Sequence, residues 1–304
     1  MPMREEVGLF TSAPEGPSAP RPGGDRAAPA ASDDPLIRIR ASDSGGLIDP
    51  GELWAHRELC YLLIWRDLKV RYKQTVLGPA WVVLQPAAMT LVFTVFLGML
   101  GRIPSDGVPY APFAYAGLLL WTLLSNAVSS SAHSLVGSAP LITKIYFPRL
   151  LVPLATVAVR LVDFAVASVL LLVLLLAYGI APTWGLLVFP ALVLELALLA
   201  LALGLWSAAL NVKYRDVGTL LPVALQFWMF ASPVVYPASL VPEKWRWLYA
   251  LNPLVGIIEG ARASLFGRAF DWGSIAASVV VTLLLTACAA YSFRRAEESF
   301  ADFI

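Results

Sequence analysis

Charge is scarce in this sequence. Of 304 residues only 14% are Asp, Glu, Lys or Arg, where a soluble domain carries about a quarter, and 58% are hydrophobic. A soluble core of that composition would be too apolar, which excludes a soluble enzyme. Gathered into runs of about 20 residues, the same excess makes membrane spans. Histidine and cysteine are rarer still, at two each. His56 and His133 are too isolated for a metal centre; His133 is expected to hydrogen-bond inside a helix bundle and His56 to sit at a lipid interface. Cys60 and Cys288 lack ligand spacing and read as buried thiols. Also missing are a Gly-rich loop ending in Gly-Lys-Ser/Thr, a Ser-x-x-Lys pair and a Gly-x-Ser-x-Gly elbow. No ATP site and no hydrolase nucleophile are therefore expected in this chain.

What is present is ordered along the chain. Residues 1–50 are rich in Ala, Pro, Gly, Ser and Asp, with almost no aromatic residue after Phe10, and read as a disordered cytoplasmic tail without the apolar stretch or cleavage site of a secretory signal. Within it, Leu36 to Arg40 alternates apolar and basic residues, a local extended segment or a strand laid on a partner. Between 51 and 75, Trp54, Tyr61, Trp65, Leu68 and Tyr72 share one helix face, with Arg66, Lys69 and Lys73 on one side and Arg57 and Arg71 on the other. That pattern predicts an interfacial amphipathic helix lying in the membrane plane; the plainer reading is a solvated helix packed on its own protein.

Six spans are expected, at 81–100, 110–137, 151–178, 183–210, 217–236 and 273–293, making an all-α membrane protein. Pro86 kinks the first, and Ser129-Ser130-Ser131 suits close packing in the second. Lys144 and Arg149, Lys213 and Arg215, and Arg294 and Arg295 of the 294–304 terminus then fall on the side of the basic N-terminal helix, as the positive-inside rule requires. Lys244, Arg246, Arg262 and Arg268 stand against it. They belong to 242–268, which reads as two short helices that enter the outer leaflet and return, bordering a path.

Charges inside spans cost several kcal/mol each, so their partners matter. Arg160 and Asp163 are three apart, and a structural ion pair is favoured over a substrate or proton relay. Glu195 has no partner in its own span; a neighbouring helix, the same residue across a dimer axis and a polar path stay open. Phe93 and Phe96 in span one, with Phe227, Trp228, Phe230 and Tyr236 in span five, offer ring faces for stacking on sugars, although membrane aromatics commonly face lipid or pack.

Several stretches point further: Trp65-Arg66-Asp67-Leu68-Lys69-Val70-Arg71-Tyr72-Lys73-Gln74-Thr75-Val76-Leu77-Gly78 with Trp81 and Pro86, Leu141 to Arg149, Tyr214-Arg215-Asp216, Ser232-Pro233-Val234-Val235-Tyr236 and Asn252-Pro253. In this order they resemble the permease subunits of type-2 ABC exporters for bacterial polysaccharides, a family that includes O-antigen, capsule and teichoic-acid exporters. The match runs from about Gly51 to the C-terminus, leaving the tail outside.

The resemblance implies a homodimer in the cytoplasmic (inner) membrane, both termini inside, with two copies of a separate ATPase that carries the ATP and Mg. This chain itself binds no cofactor or metal and no nucleic acid. The implied cargo is an undecaprenyl-diphosphate-type lipid-linked glycan, O-antigen first and teichoic acid or capsule as alternatives. Ile142 to Arg149 falls where the family's coupling helix meets the ATPase, giving Lys144, Ile145, Tyr146, Phe147, Pro148 and Arg149 as contacts, with Tyr214, Arg215 and Asp216 as a lesser one. Arg66, Lys69, Arg71, Tyr72 and Lys73 match the lipid-diphosphate entry. Trp245, Trp247, Asn252, Pro253 and Glu259 match the external gate. Two rivals remain at this point: a membrane-embedded transferase, for which Asp67 and Asp216 are the motif carboxylates on the inner side, and a scaffold of a glycan-synthesis complex.

Overall fold

The structure, a computed structural model, describes residues 50–73, 78–145 and 147–297. The expected tail before Pro50, Tyr146 and the chain after Glu297 lie outside the described residues. Every regular element among those described is a helix.

The expected interfacial helix comes in two pieces, α1 (Pro50–Ala55) and α2 (Arg57–Tyr72), broken at His56. Its two faces divide the work. Cys60, Leu63 and Ile64 pack with Phe147, Leu151, Val152 and Ala155 at the base of α6 (Leu151–Ala177), while Trp54, Tyr61 and Trp65 stay exposed. Lys69 Nζ lies 5.1 Å over the Trp65 ring, which keeps a cation at the aromatic outer face. Burial at the inner face pushes the Cys60 thiol pKa up.

Among the described residues, five helices are long and apolar enough to cross a membrane: Ala80–Leu100, Tyr110–Gly137, Leu151–Ala177, Trp184–Lys213 and Trp272–Glu297. The first is α3 (Ala80–Phe93) continued by a wider π-helical stretch, Thr94–Leu100. Pro86 sits inside α3, where the Thr90 hydroxyl donates to the Pro86 carbonyl at 2.8 Å. The most enclosed of these five is α4 (Tyr110–Gly137), packed against α6 and against α7 (Phe189–Lys213), which follows a 3₁₀ turn at Trp184–Leu187. A short α5 (Ala139–Ile142) follows α4, and α11 (Trp272–Glu297) closes the bundle against α7.

The fifth expected span differs. α8 covers Val217–Phe230, 14 residues and so about 21 Å, well short of a hydrocarbon core of about 30 Å. It stops because Pro233 cannot supply the N–H that a continuing helix needs, and the chain turns inward instead, burying Ser232 to Val235. The two expected short helices follow as α9 (Glu243–Ala250) and α10 (Pro253–Phe266).

Two glycines permit the tightest approaches. A Cβ on Gly117 of α4 would lie 2.1 Å from the Val234 carbonyl oxygen, so the inward turn after α8 rests directly on α4 backbone. A Cβ on Gly256 of α10 would lie 2.2 Å from the Ser274 carbonyl oxygen, which puts α10 backbone against α11. Farther along α11, the Ser278 hydroxyl donates to Glu195 of α7 at 2.7 Å, giving Glu195 its partner on a neighbouring helix. Cys288 is exposed on α11, against the expectation of a buried thiol. In a helix apolar on every side, sequence surroundings do not separate a face turned to protein from one turned outward.

Candidate functional site

α2 and α3 approach α4 and α6 around a cavity of about 170 Å³. Its polar wall is built by Arg71 and Tyr72 of α2, Gln85 of α3, Asn126 of α4 and Arg160 and Asp163 of α6; Trp81, Leu119, Leu123 and Phe164 supply apolar surface. Asp163 is the hub. It accepts the Tyr72 hydroxyl hydrogen, and its Oδ2 stands 3.1 Å from Arg71 Nη1 and 3.2 Å from Arg160 Nη1. Arg160 also donates to the Ser130 hydroxyl of α4, while its Nε lacks a partner among the described residues. The favoured Arg160–Asp163 ion pair is therefore present but enlarged by two groups from α2, because α2 lies along the first turns of α6 and brings its last turn level with Asp163. These charges face the polar end of α2 and a polar cavity, which removes most of the cost of placing them in hydrocarbon. Burial, then the hydrogen bond to Asp163, push the Tyr72 hydroxyl pKa from 10.0 up to about 12.

Of the five expected entry residues, Arg71 and Tyr72 reach this cavity. Arg66 pairs with its neighbour Asp67 at 2.8 Å on the exposed side, and Lys69 and Lys73 are also exposed. The two groups thus come from the last two turns of α2 but serve different surroundings.

At the loop between α4 and α6 the helical turn falls at Ala139–Ile142, before the expected Ile142 to Arg149. Pro140 starts a helix well in its first turn, whereas Pro148 disfavours helix in the residue before it. Lys144 and Ile145 are exposed, Pro148 is half-buried, and Phe147 is buried at 5% exposure among Leu151 and Val152. Arg149 Nη1 donates to the Glu297 carbonyl at 2.8 Å, fastening this loop to the end of α11. Tyr214, Arg215 and Asp216 are exposed in the turn between α7 and α8. Near that turn, His133 Nδ1 lies 2.9 Å from the Ser129 carbonyl on exposed α4 surface, as a hydrogen bond within its own helix.

The expected ring faces separate into two groups. Phe96, Phe227 and Phe230 are exposed, and Phe93 packs partly against the core. Trp228 stands edge-on to Trp121, ring centroids 6.3 Å apart, and its Nε1 donates to Asn252 Oδ1 at 3.1 Å. Tyr236 donates to the Phe230 carbonyl at 2.8 Å and receives the Tyr249 hydroxyl at 3.1 Å. Burial and that bond raise the Tyr249 pKa.

Sequence reasoning read Asn252-Pro253 as a turn and missed its reach. The Asn252 side chain caps α10 by accepting from Leu254 N at 3.1 Å, and donates to the Ser232 hydroxyl at 2.8 Å and the Ala231 carbonyl at 3.3 Å. Asn before Pro at an apolar run is an N-cap signature that would have found the first of these. Arg262 was read only as an exception to the charge bias. It is fully buried, donating to the Pro233 carbonyl at 2.7 Å, the Val234 carbonyl at 2.7 Å and Glu259 at 3.0 Å, over the Phe113 ring at 3.6 Å. In the broken backbone after α8, the Pro233 and Val234 carbonyls obtain their donors from this one guanidinium. Trp245 and Trp247 are exposed on α9, Pro253 is buried at the start of α10, and Glu259 accepts from Ala238 N at 3.2 Å.

The ABC-2 type transporter family matches residues 58–266, and this chain belongs to that family. It is 33% identical to the O-antigen export system permease protein RfbA of Myxococcus xanthus, over 83% of this chain and 98% of that protein. The corresponding RfbA of Klebsiella pneumoniae is 24% identical over 81% of this chain and 95% of its own length. The polysialic acid transport protein KpsM of Escherichia coli is 24% identical over 67% and 79%.

Proposed function

We propose that this chain is the permease subunit of an ATP-driven exporter that carries a lipid-diphosphate-linked polysaccharide, an O-antigen in the first instance, across the cytoplasmic membrane. Two copies form the conduit and two copies of a separate ATPase, which hold the ATP and Mg, bind below; the termini are cytoplasmic. Family membership and the named relatives support the polysaccharide cargo. The observation that carries the mechanism is the cavity where Arg71 and Arg160 meet Asp163 beneath an aromatic, basic α2.

Two cations and one carboxylate leave that cavity net positive, with amide and hydroxyl groups at hand for phosphate oxygens. Arg66, Lys69 and Lys73 on the exposed side of α2 attract the diphosphate head at the membrane surface, and the cavity receives it next. Exposed Lys144 and Ile145, with Tyr146 and the 214–216 turn, meet the ATPase, whose motion enters the bundle through the loop that Arg149 fastens to α11. The glycan passes the exposed rings of Phe96, Phe227 and Phe230, and α9 and α10 form the outer gate as re-entrant helices. The test is reconstitution with its ATPase subunit in proteoliposomes loaded with lipid-linked glycan. ATP-dependent transfer to the far side is the expected result, and ATP hydrolysis unaffected by the permease would refute it.

A further inference from the structure

The cavity already contains an anion, the side chain of Asp163. Its two oxygens take the Tyr72 hydroxyl and the Arg71 and Arg160 guanidinium groups, the donors that an incoming diphosphate needs. Arg71 comes from a different helix, whereas Arg160 lies one turn away on Asp163's own helix and holds the carboxylate whether or not Arg71 is present. Arg160 Nε is buried without a partner among the described residues, and Gln85 and Asn126 border the same space. The site is therefore built for an anion and is partly filled by one.

We propose that Asp163 is a built-in competitor for the cargo's diphosphate: the phosphate oxygens displace its carboxylate from Arg71 and Tyr72, Asp163 falls back on Arg160, and α2 is released from α6. Asp163 is a specificity-determining residue under this scheme. A single weak anion fails to displace a carboxylate held by two cations, while a diphosphate, with more charge and more acceptor oxygens, succeeds. Loading then changes the attachment of α2 in the same step, since that attachment passes through the groups exchanged. The inference rests on the reading of the cavity as the diphosphate site.

The test uses the full permease–ATPase complex in nanodiscs, titrated with polyprenyl diphosphate, polyprenyl monophosphate and inorganic pyrophosphate. Asp163→Asn should bind the polyprenyl diphosphate about tenfold tighter than the native complex and lose much of the discrimination against the monophosphate. The double variant Asp163→Asn with Arg160→Gln, which keeps the cavity's net charge, should also bind tighter, and covers the case in which the single variant assembles poorly. Arg71→Gln should weaken binding in either background. Weaker or equal binding by both Asp163 variants, with Arg71→Gln still weakening it, overturns the competitor and leaves the site. Binding unaffected by Arg71→Gln overturns the site itself. Inorganic pyrophosphate binding as tightly as the lipid form would assign the cavity to a soluble anion and overturn both.

Discussion

Tyr72 of α2 donates its hydroxyl hydrogen to Asp163 of α6, 91 positions further along the chain. That bond and the Arg71 ion pair beside it fix the end of α2 to the bundle.

The first prediction is a pH dependence of this attachment. The Tyr72 pKa is raised in the fold from 10.0 to about 12, so its contribution is whole below pH 10 and is lost as pH rises through about 12. Hydrogen exchange of α2 should accelerate across that window, and Tyr72→Phe should show fast α2 exchange already at neutral pH. An α2 equally protected in both proteins would refute the attachment.

A second prediction concerns Arg149. Its bond to the Glu297 carbonyl makes it a fastening between the α4–α6 loop and α11. Arg149→Ala should lower glycan moved per ATP hydrolysed several-fold in the reconstituted complex, while Arg149→Lys retains part of it. An unchanged ratio in Arg149→Ala shows that this fastening does not transmit force.

Removal of Arg262 should be costly. Arg262→Ala leaves the Pro233 and Val234 carbonyls without donors and Glu259 without its cation, at about 3 kcal/mol or more. Arg262→Lys keeps the charge but not the fork, and should fall between. Thermal unfolding in detergent measures both, and a melting point unchanged in Arg262→Ala would contradict the geometry.

Asp271 gives an acid-side counterpart. It accepts from Ser274 Oγ at 2.6 Å, Ser274 N at 3.2 Å and Gly273 N at 3.1 Å at the start of α11. Those bonds hold its carboxyl below the usual carboxylate range. Its contribution is therefore present above the unfolded pKa of about 3.9 and lost as pH falls through the lower folded value. Asp271→Asn should flatten the acid limb of the melting curve, and Asp271→Ala should cost about 1 kcal/mol at neutral pH.

Long apolar runs made most of the fold legible, since Tyr110–Gly137 and Leu151–Ala177 differ from their expected bounds by at most one residue. α8 was too long in expectation because hydropathy continues through Val234 and Val235 after the helix has ended, and burial by protein replaces burial by lipid without changing residue type. At the site, Arg160 with Asp163 was readable from spacing alone. The additions from Arg71 and Tyr72 were not, because helical periodicity records which residues share a face and carries nothing about which distant helix that face meets. Phe147 shows the same limit from the other side: a motif position expected at a contact surface is buried, since its loop folds back on Leu151.

The close approach of Gly256 to the Ser274 carbonyl has a mechanical meaning when set beside Arg149. With backbone against backbone at that point, no side chain separates the two helices there, and α10 and α11 are joined closely. α11 runs for 26 residues, about 39 Å, and its other end is pinned at Glu297. α11 is in effect a connecting rod with a fitting at each end.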